Sequence, residues 1–115
     1  MNLITKQKAF AKLLPRLIDK AHELGFEVTM GEVWRSPEEA RRLSQLKMGI
    51  RNSLHCEKLA VDLNLFKDGL FLSRTADHKQ LGEWWEKQST DLLNCCWGGR
   101  WGDGNHYSIE HNGIK

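Results

Sequence analysis

The sequence of 115 residues lacks the features that mark membrane-spanning and secreted proteins. It has no apolar stretch near the ~18 residues that cross a bilayer, so we expect no membrane-spanning helix and no stable membrane association. Its first ten residues, MNLITKQKAF, have neither an apolar core after a basic segment nor a small-residue cleavage site. We therefore expect no secretory signal, and synthesis in the cytoplasm.

Cysteine is scarce, and neither sign of charge is in large excess. The three cysteines form an odd number without a pairing framework, which favours free thiols in a reducing compartment. The net charge is only +2 and the isoelectric point is near 8.5, which is too weakly basic to predict a nucleic-acid partner. Residues 1–55 hold ten basic and six acidic side chains, and residues 56–115 hold seven and nine. This asymmetry reflects either ordinary surface variation or carboxylates in the second half of the chain that bind a cation.

No repeat, low-complexity tract or linker divides the chain. We therefore expect a single domain over residues 1–115, and a monomer. Apolar residues recur at helical spacing after Thr5, a fair N-cap, as far as Gly25, which is a good helix stop. Pro15 lies inside this pattern and is expected to kink or split the helix.

The remaining pattern predicts two further helices and several short strands. Ser36 and Glu39 form the two halves of a capping box at the start of the second helix. Alternation on the strand over 60–66 places Val61, Leu63 and Leu65 on one face and Asp62 on the other. The other expected elements are helices over 36–47 and 77–88, strands over 26–33 with a bulge at Gly31, 70–72 and 106–111, and a turn at 67–69. Together they predict an α+β fold in which helices pack on a small, mainly antiparallel sheet.

Two pairs of histidine and aspartate are placed where they could meet. Asp62 is polar on an otherwise apolar strand and follows His55, while His106 lies on the polar face of the last strand and follows Asp103. Two histidines and one carboxylate with an open fourth position form a typical catalytic zinc set, and a second carboxylate can act as general base. A single pair of this kind is more often a hydrogen-bonded structural pair. Two pairs on polar strand faces favour the zinc interpretation.

Three other residues are candidates for the same site. Arg35 directly precedes the capped helix and is either a surface arginine or a cation that binds a carboxylate or an oxyanion. Ser53, two residues before His55, is either a plain loop serine or a support for that histidine. Trp101 lies just before Asp103 and could form one wall of a cleft.

Several of these residues fall within motifs of a known family. SLHCEKLAVD at 53–62 resembles the Ser-x-His-x-x-Gly-x-Ala-x-Asp signature of the VanY-like zinc peptidases, which include D-Ala-D-Ala carboxypeptidases and phage endolysins. WGGRW at 97–101 and DGNH at 103–106 resemble the family's Trp-Gly-Gly-x-Trp and acidic-x-x-His elements, and WRS at 34–36 resembles its Tyr-Arg-Ser segment. The matches follow the family order from about residue 30 to residue 110.

The resemblance implies a role for each matched residue. His55, Asp62 and His106 are expected to bind Zn²⁺, Asp103 to act as general base, and Arg35 to stabilise the tetrahedral intermediate. The short single-domain form most resembles endolysins that cleave the L-Ala–D-Glu bond of peptidoglycan stem peptides. Such an enzyme is released from the cytoplasm by a holin, which is a partner that only the resemblance implies, and then acts on the cell wall.

The sequence departs from the family at some positions and leaves alternatives open. Lys58 stands in place of the signature glycine, and Trp34 in place of tyrosine. Glu110, on the same face as His106, is a second candidate for the base or for a supporting contact. A D-Ala-D-Ala carboxypeptidase is the alternative within the family. The alternative from another class is a non-catalytic wall-binding module with a structural metal.

Overall fold

The computed structural model describes residues 1–50 and 52–115. These residues form a five-stranded antiparallel sheet and three α-helices. This confirms the predicted α+β class. The elements are α1 (Leu3–Glu23), β1 (Glu27–Met30), α2 (Pro37–Gln45), β2 (Ala60–Lys67), β3 (Leu70–Leu72), α3 (Lys79–Glu86), β4 (Cys95–Trp97) and β5 (His106–Ile109), with 3₁₀ turns at Thr75–His78 and Gly98–Trp101. None of the helices in the described part of the chain combines the length and apolar character that a membrane span requires.

Strand β2 is the centre of the sheet. β1 pairs along one of its edges, while β5 and then β3 pair along the other, and β4 lies outside β5. The β2–β3 hairpin turns at Asp68 and Gly69, whose φ values are 51° and 79°. Two successive positive φ values are typical of a tight hairpin turn, so the predicted turn is confirmed.

The core lies between one face of β2 and the helices α1 and α3. Val61, Leu63 and Leu65 are fully buried on this face, as the alternation predicts, and Trp85 of α3 is buried with them. Because side chains alternate along a strand, Asp62 points to the opposite face of β2. Packing of the apolar face thus holds β2 in place, and the side chains on its opposite face are available to form a functional site.

The first helix differs from the prediction at its start and at its proline. The cap is Asn2 rather than Thr5, because the Asn2 side-chain oxygen accepts a hydrogen bond from the Thr5 amide at 2.9 Å. The helix continues through Pro15 without splitting. Pro15 lies on the exposed side of the helix, where the carbonyl group that it leaves unpaired is open to water.

The second helix begins as predicted, with one change in its capping box. The Ser36 hydroxyl accepts a hydrogen bond from the Glu39 amide at 3.0 Å and so caps α2. The Glu39 carboxylate, which was expected to complete the box, pairs with Arg42 one turn further along at 3.1 Å. The helix ends at Gln45 rather than at residue 47.

The first strand is shorter than predicted because it ends in a bulge. Beyond Met30, the Gly31 amide donates to the Asp62 carbonyl at 2.7 Å, and the Asp62 amide donates to the Glu32 carbonyl at 2.8 Å. Gly31 and Glu32 therefore lie opposite the single residue Asp62. Two residues opposite one is the pattern of a β-bulge, as predicted at Gly31. A Cβ atom on Gly31 would lie 2.9 Å from the Asp62 carbonyl oxygen, so this approach requires glycine.

Candidate metal centre

Strand pairing brings Asp62 and His106 together. The two residues are direct partners in the antiparallel register of β2 and β5. Their side chains share the face of the sheet that is turned away from the core, and Asp62 Oδ1 lies 3.7 Å from His106 Nδ1. The sheet itself therefore provides two residues of the predicted site.

A tight turn before β2 brings His55 to the same carboxylate. The Ser53 hydroxyl accepts a hydrogen bond from the His55 amide at 3.2 Å, which stabilises the start of the turn. The Lys58 amide donates to the His55 carbonyl and the Leu59 amide to the Leu54 carbonyl, which is the Schellman pattern. Lys58 adopts the left-handed φ of 57° that this closure requires. Lys58, which stands where the resembled signature has glycine, thus lies in the left-handed backbone region, where a residue other than glycine is strained.

Three side chains of this group present ligand-type atoms close to one another. His55 Nε2 lies 3.4 Å from Asp62 Oδ1, and the ligand-type atoms of His55, Asp62 and His106 all lie within 4.8 Å of one another. Hydrogen bonds between nitrogen and oxygen are shorter, at about 2.7–3.2 Å. Four ligands at zinc's bond lengths of about 2.0–2.2 Å occupy tetrahedral corners roughly 3.3–3.6 Å apart, which the distances from Asp62 to the two histidines approach. The group could therefore hold a metal ion.

Packing, rather than outer hydrogen bonds, orients the two histidine rings. His55 and His106 are nearly buried, and their rings meet edge to face with centroids 5.4 Å apart. The Trp101 ring lies against His106 at 5.6 Å. The second ring nitrogen of each histidine is buried and has no hydrogen-bond partner among the described residues.

Asp62 is held in the ionised form that a metal requires. Burial of this carboxylate would by itself raise its pKa. The adjacent His106 and His55 favour the charged form more strongly, and together they lower the pKa of Asp62 to about 2. Asp62 is therefore a carboxylate at neutral pH.

The group opens into a cleft of about 210 Å³. Arg35 and Asp103 line this cleft together with the three residues of the centre. Its remaining walls combine the apolar Met48, Ile50, Leu54 and Trp101 with Gly49, Ser53 and the basic Lys115. The predicted placement of Trp101 in a cleft wall is thus observed, and a substrate could reach the centre from solvent.

Asp103 lies at the junction of this cleft and a second one. It is exposed and also lines a neighbouring cavity of about 190 Å³ near Thr75. Its backbone is fixed, because its amide donates to the Gly98 carbonyl at 2.8 Å and its carbonyl accepts from the His106 amide at 3.2 Å. Loss of hydration raises the pKa of the Asp103 carboxyl; the charge of Asp62 adds to this, while His106 opposes it. A raised pKa makes Asp103 a better proton acceptor than an ordinary carboxylate.

Arg35 is tied to the centre through its backbone and to Glu32 through its side chain. The Arg35 amide donates to the His55 carbonyl at 3.2 Å. Its guanidinium group forms a two-pronged ion pair with the Glu32 carboxylate, in which Nη2 donates to Oε2 at 2.9 Å. The hydrogen bonds that Arg35 donates to Glu32, together with the negative charge of Glu32, raise the pKa of Arg35, although burial opposes this. Arg35 is thus a fixed cation at the cleft.

Glu110 is placed away from the other candidates. Its carboxylate accepts a hydrogen bond from the Gly113 amide at 2.8 Å and lies 3.9 Å from Lys6 Nζ. Glu110 is not among the described residues that line the cleft. These contacts tie the end of β5 to the start of α1.

Two residues beside the cleft, Glu32 and Gly49, were not predicted as part of the site. Glu32 was not a candidate, because its contact with Arg35 depends on the bulge that takes the chain out of the sheet. Gly49, which lines the cleft, also passed unnoticed, since a single glycine after a helix reads as an ordinary stop. The one available signal was the acid–base spacing of Glu32 and Arg35, which is common on protein surfaces.

Comparisons with known proteins do not assign the chain to a family. No protein-family model matches it, and no curated protein matches it significantly. A functional proposal therefore depends on the chemistry of the cleft and on the motifs that place these residues in order along the chain.

Proposed function

We propose that this chain is a zinc metallopeptidase that hydrolyses peptidoglycan stem peptides. The observation that carries the proposal is the group of His55, Asp62 and His106 at a cleft that Asp103 and Arg35 also line. Two histidines and one carboxylate beside open space are the donor set of catalytic zinc sites. The motif resemblance supports the same assignment, because the five residues come from separate segments and meet at one cleft.

Each residue has a distinct part in the proposed reaction. His55, Asp62 and His106 would hold the zinc ion, which when bound polarises an amide carbonyl and lowers the pKa of water toward ~7. Asp103 accepts the proton of the attacking water and passes it to the leaving amine. Arg35 donates hydrogen bonds to the carbonyl oxygen as negative charge develops on it.

The preferred bond is that between L-Ala and D-Glu in the stem peptide, as in the endolysins whose motifs the chain resembles. Support for this choice comes from the order of those motifs along the chain. Cleavage of the terminal D-Ala-D-Ala bond is the alternative within the same chemistry. Release through a holin and action on the wall belong to the endolysin version of the proposal.

A wall-binding module with a structural metal is the rival from another class. Structural zinc sites are usually closed by four protein ligands. Among the described residues, the group contains three such ligands. The open cleft beside them favours catalysis over a purely structural ion.

Digestion of purified peptidoglycan tests the proposal. We expect the zinc-loaded chain to release fragments whose masses identify a cut after L-Ala, and we expect a chelator to abolish release until zinc is restored. Masses that show loss of the terminal D-Ala would support the carboxypeptidase alternative. Binding to the wall without any new fragment, in the presence of zinc, would support the non-catalytic module and contradict the proposal.

A further inference from the structure

We infer that Glu32 is the positioning residue that aims Arg35 into the cleft. This inference rests on the proposed function, in which Arg35 stabilises charge on the substrate carbonyl oxygen. The two-pronged contact occupies Nε and Nη2 of the guanidinium group and leaves Nη1 as its remaining nitrogen. Because the guanidinium group is planar, fixing two of its nitrogens also fixes the direction of the third.

The backbone of the same segment is bonded to the candidate metal centre. The Glu32 carbonyl accepts a hydrogen bond from the Asp62 amide at 2.8 Å. Three residues later, the Arg35 amide donates to the His55 carbonyl at 3.2 Å. The ion pair is therefore anchored at both ends to residues of the centre, so its orientation relative to Asp62 and His55 is fixed.

The remaining nitrogen of Arg35, Nη1, lies beside Gly49, and both residues line the cleft. A Cβ atom on Gly49 would be 3.2 Å from Nη1, so a side chain at this position would crowd the guanidinium group. Among the described residues, Nη1 forms no hydrogen bond, whereas Nε and Nη2 are paired with Glu32. An arginine that is held on one side and keeps a donor for another acceptor has the geometry expected of an oxyanion donor.

The chain contains a matched pair that has no such connection. Glu39 and Arg42 have the same three-residue spacing and also form a two-pronged contact. Their side chains are 41% and 59% exposed, whereas those of Glu32 and Arg35 are 32% and 11% exposed. Glu39→Gln therefore provides a control in which an equivalent ion pair is lost from the surface of α2.

Kinetics of a double-mutant cycle on a synthetic stem peptide test the inference. We expect Glu32→Gln to lower kcat by roughly 10-fold to 10²-fold with KM changed by less than about twofold, because the donor is misdirected rather than removed. Zinc content and thermal stability are measured for every variant, and Glu39→Gln is expected to keep its kcat. The variant that combines Glu32→Gln with Arg35→Ala should be no slower than Arg35→Ala alone. The inference would be overturned if the losses in kcat of the two single variants multiplied in the combined variant, or if Glu32→Gln kept the kcat of the wild type.

A second measurement separates this inference from the proposed function. In ¹⁵N spectra, we expect Arg35 to give one sharp, slowly exchanging Nε–H signal that is absent from Arg35→Ala. The signal should broaden or exchange rapidly in Glu32→Gln and stay unchanged in Glu39→Gln. If the zinc-loaded wild type cleaves no stem peptide, the proposed function fails, and the spectra alone decide whether Glu32 fixes Arg35. An Arg35 signal that is unaffected by Glu32→Gln would contradict the positioning role.

Discussion

Asp62 and His106 face each other as direct partners across β2 and β5. Their contact at 3.7 Å is therefore set by the register of the sheet rather than by the flexibility of a loop. A shift of β2 by one residue in this register would turn Asp62 to the other face of the sheet, away from His106. The buried Val61 and Leu63 on the opposite face oppose such a shift, so the hydrophobic core also maintains the metal centre.

Metal binding is expected to depend on His106. We predict one zinc ion per chain in the wild type and loss of that ion in His106→Ala, because two ligands rarely hold zinc tightly. Elemental analysis after extensive dialysis measures the content. His22→Ala, which removes an exposed histidine of α1, is the matched control and should keep the metal. A wild type without metal, or a full complement in His106→Ala, would contradict the assignment.

Arg35 is expected to affect turnover but not metal content. Losing one donor to a developing oxyanion typically costs ~10²–10³ in rate, and we expect a loss of that size in kcat for Arg35→Ala. Arg35→Lys should restore only part of it, since lysine cannot reproduce the two-pronged contact with Glu32. Equal turnover of the wild type and Arg35→Ala would assign Arg35 to a structural role.

Lys58 is expected to weaken the fold slightly. A residue other than glycine in the left-handed region costs about 1–2 kcal/mol, part of which glycine loses again through its greater freedom in the unfolded chain. Lys58 has φ of 57°, so we expect Lys58→Gly to raise the free energy of unfolding by roughly 0.5–1 kcal/mol. Urea denaturation measures this difference. Lys67→Gly, at the end of a regular strand, is the control and should destabilise the protein; a destabilising Lys58→Gly would refute the explanation.

His78 is expected to make the fold sensitive to acid. Its Nδ1 lies 2.8 Å from the buried Tyr107 hydroxyl, and burial lowers the pKa of His78 from 6.5 to about 4. The unfolded chain thus binds this proton more readily than the folded chain. The contribution of His78 to the free energy of unfolding should therefore fall as the pH drops from 6.5 to 4, by up to roughly 3 kcal/mol.

A variant without this titration provides the comparison. His78→Gln is expected to lose less stability than the wild type over the same interval, whatever its stability at neutral pH. Chemical denaturation at several pH values measures both curves. Parallel curves for the two proteins would show that His78 does not supply the predicted acid sensitivity.

Strong local patterns were sufficient to predict much of the fold. The alternation around Asp62 identified the buried and polar faces of β2, and Ser36 marked the start of α2 correctly. Strand β4 (Cys95–Trp97) was not predicted, because all three of its residues are buried and show no alternation, and no hairpin turn marks its start as one does for β3. The cap of α1 was misplaced by a similar ambiguity, since Asn2 and Thr5 are both good N-caps.

The candidate site could be predicted only in part, for a physical reason. His55, Asp62 and His106 were recognisable because polar residues interrupt patterns that packing would fill with apolar ones. Glu32 and Gly49 act through a bulge and a loop, whose geometry depends on tertiary contacts rather than on periodicity. The replacement of the signature glycine by Lys58 was visible in the sequence, but the left-handed φ of Lys58 depends on how the turn closes and appears only in the structure.

Replacement of Asp103 tests the central claim most directly. Asp103→Asn keeps the shape of the side chain but cannot accept the proton of the attacking water, and loss of a general base commonly costs ~10²–10⁴ in rate. We predict that the zinc-loaded wild type cleaves a synthetic stem peptide, that zinc-loaded, folded Asp103→Asn shows almost no cleavage by mass analysis, and that Glu110→Gln is affected only mildly. An active Asp103→Asn together with an inactive Glu110→Gln would assign the base to Glu110, and a zinc-loaded wild type that cleaves nothing would contradict the account.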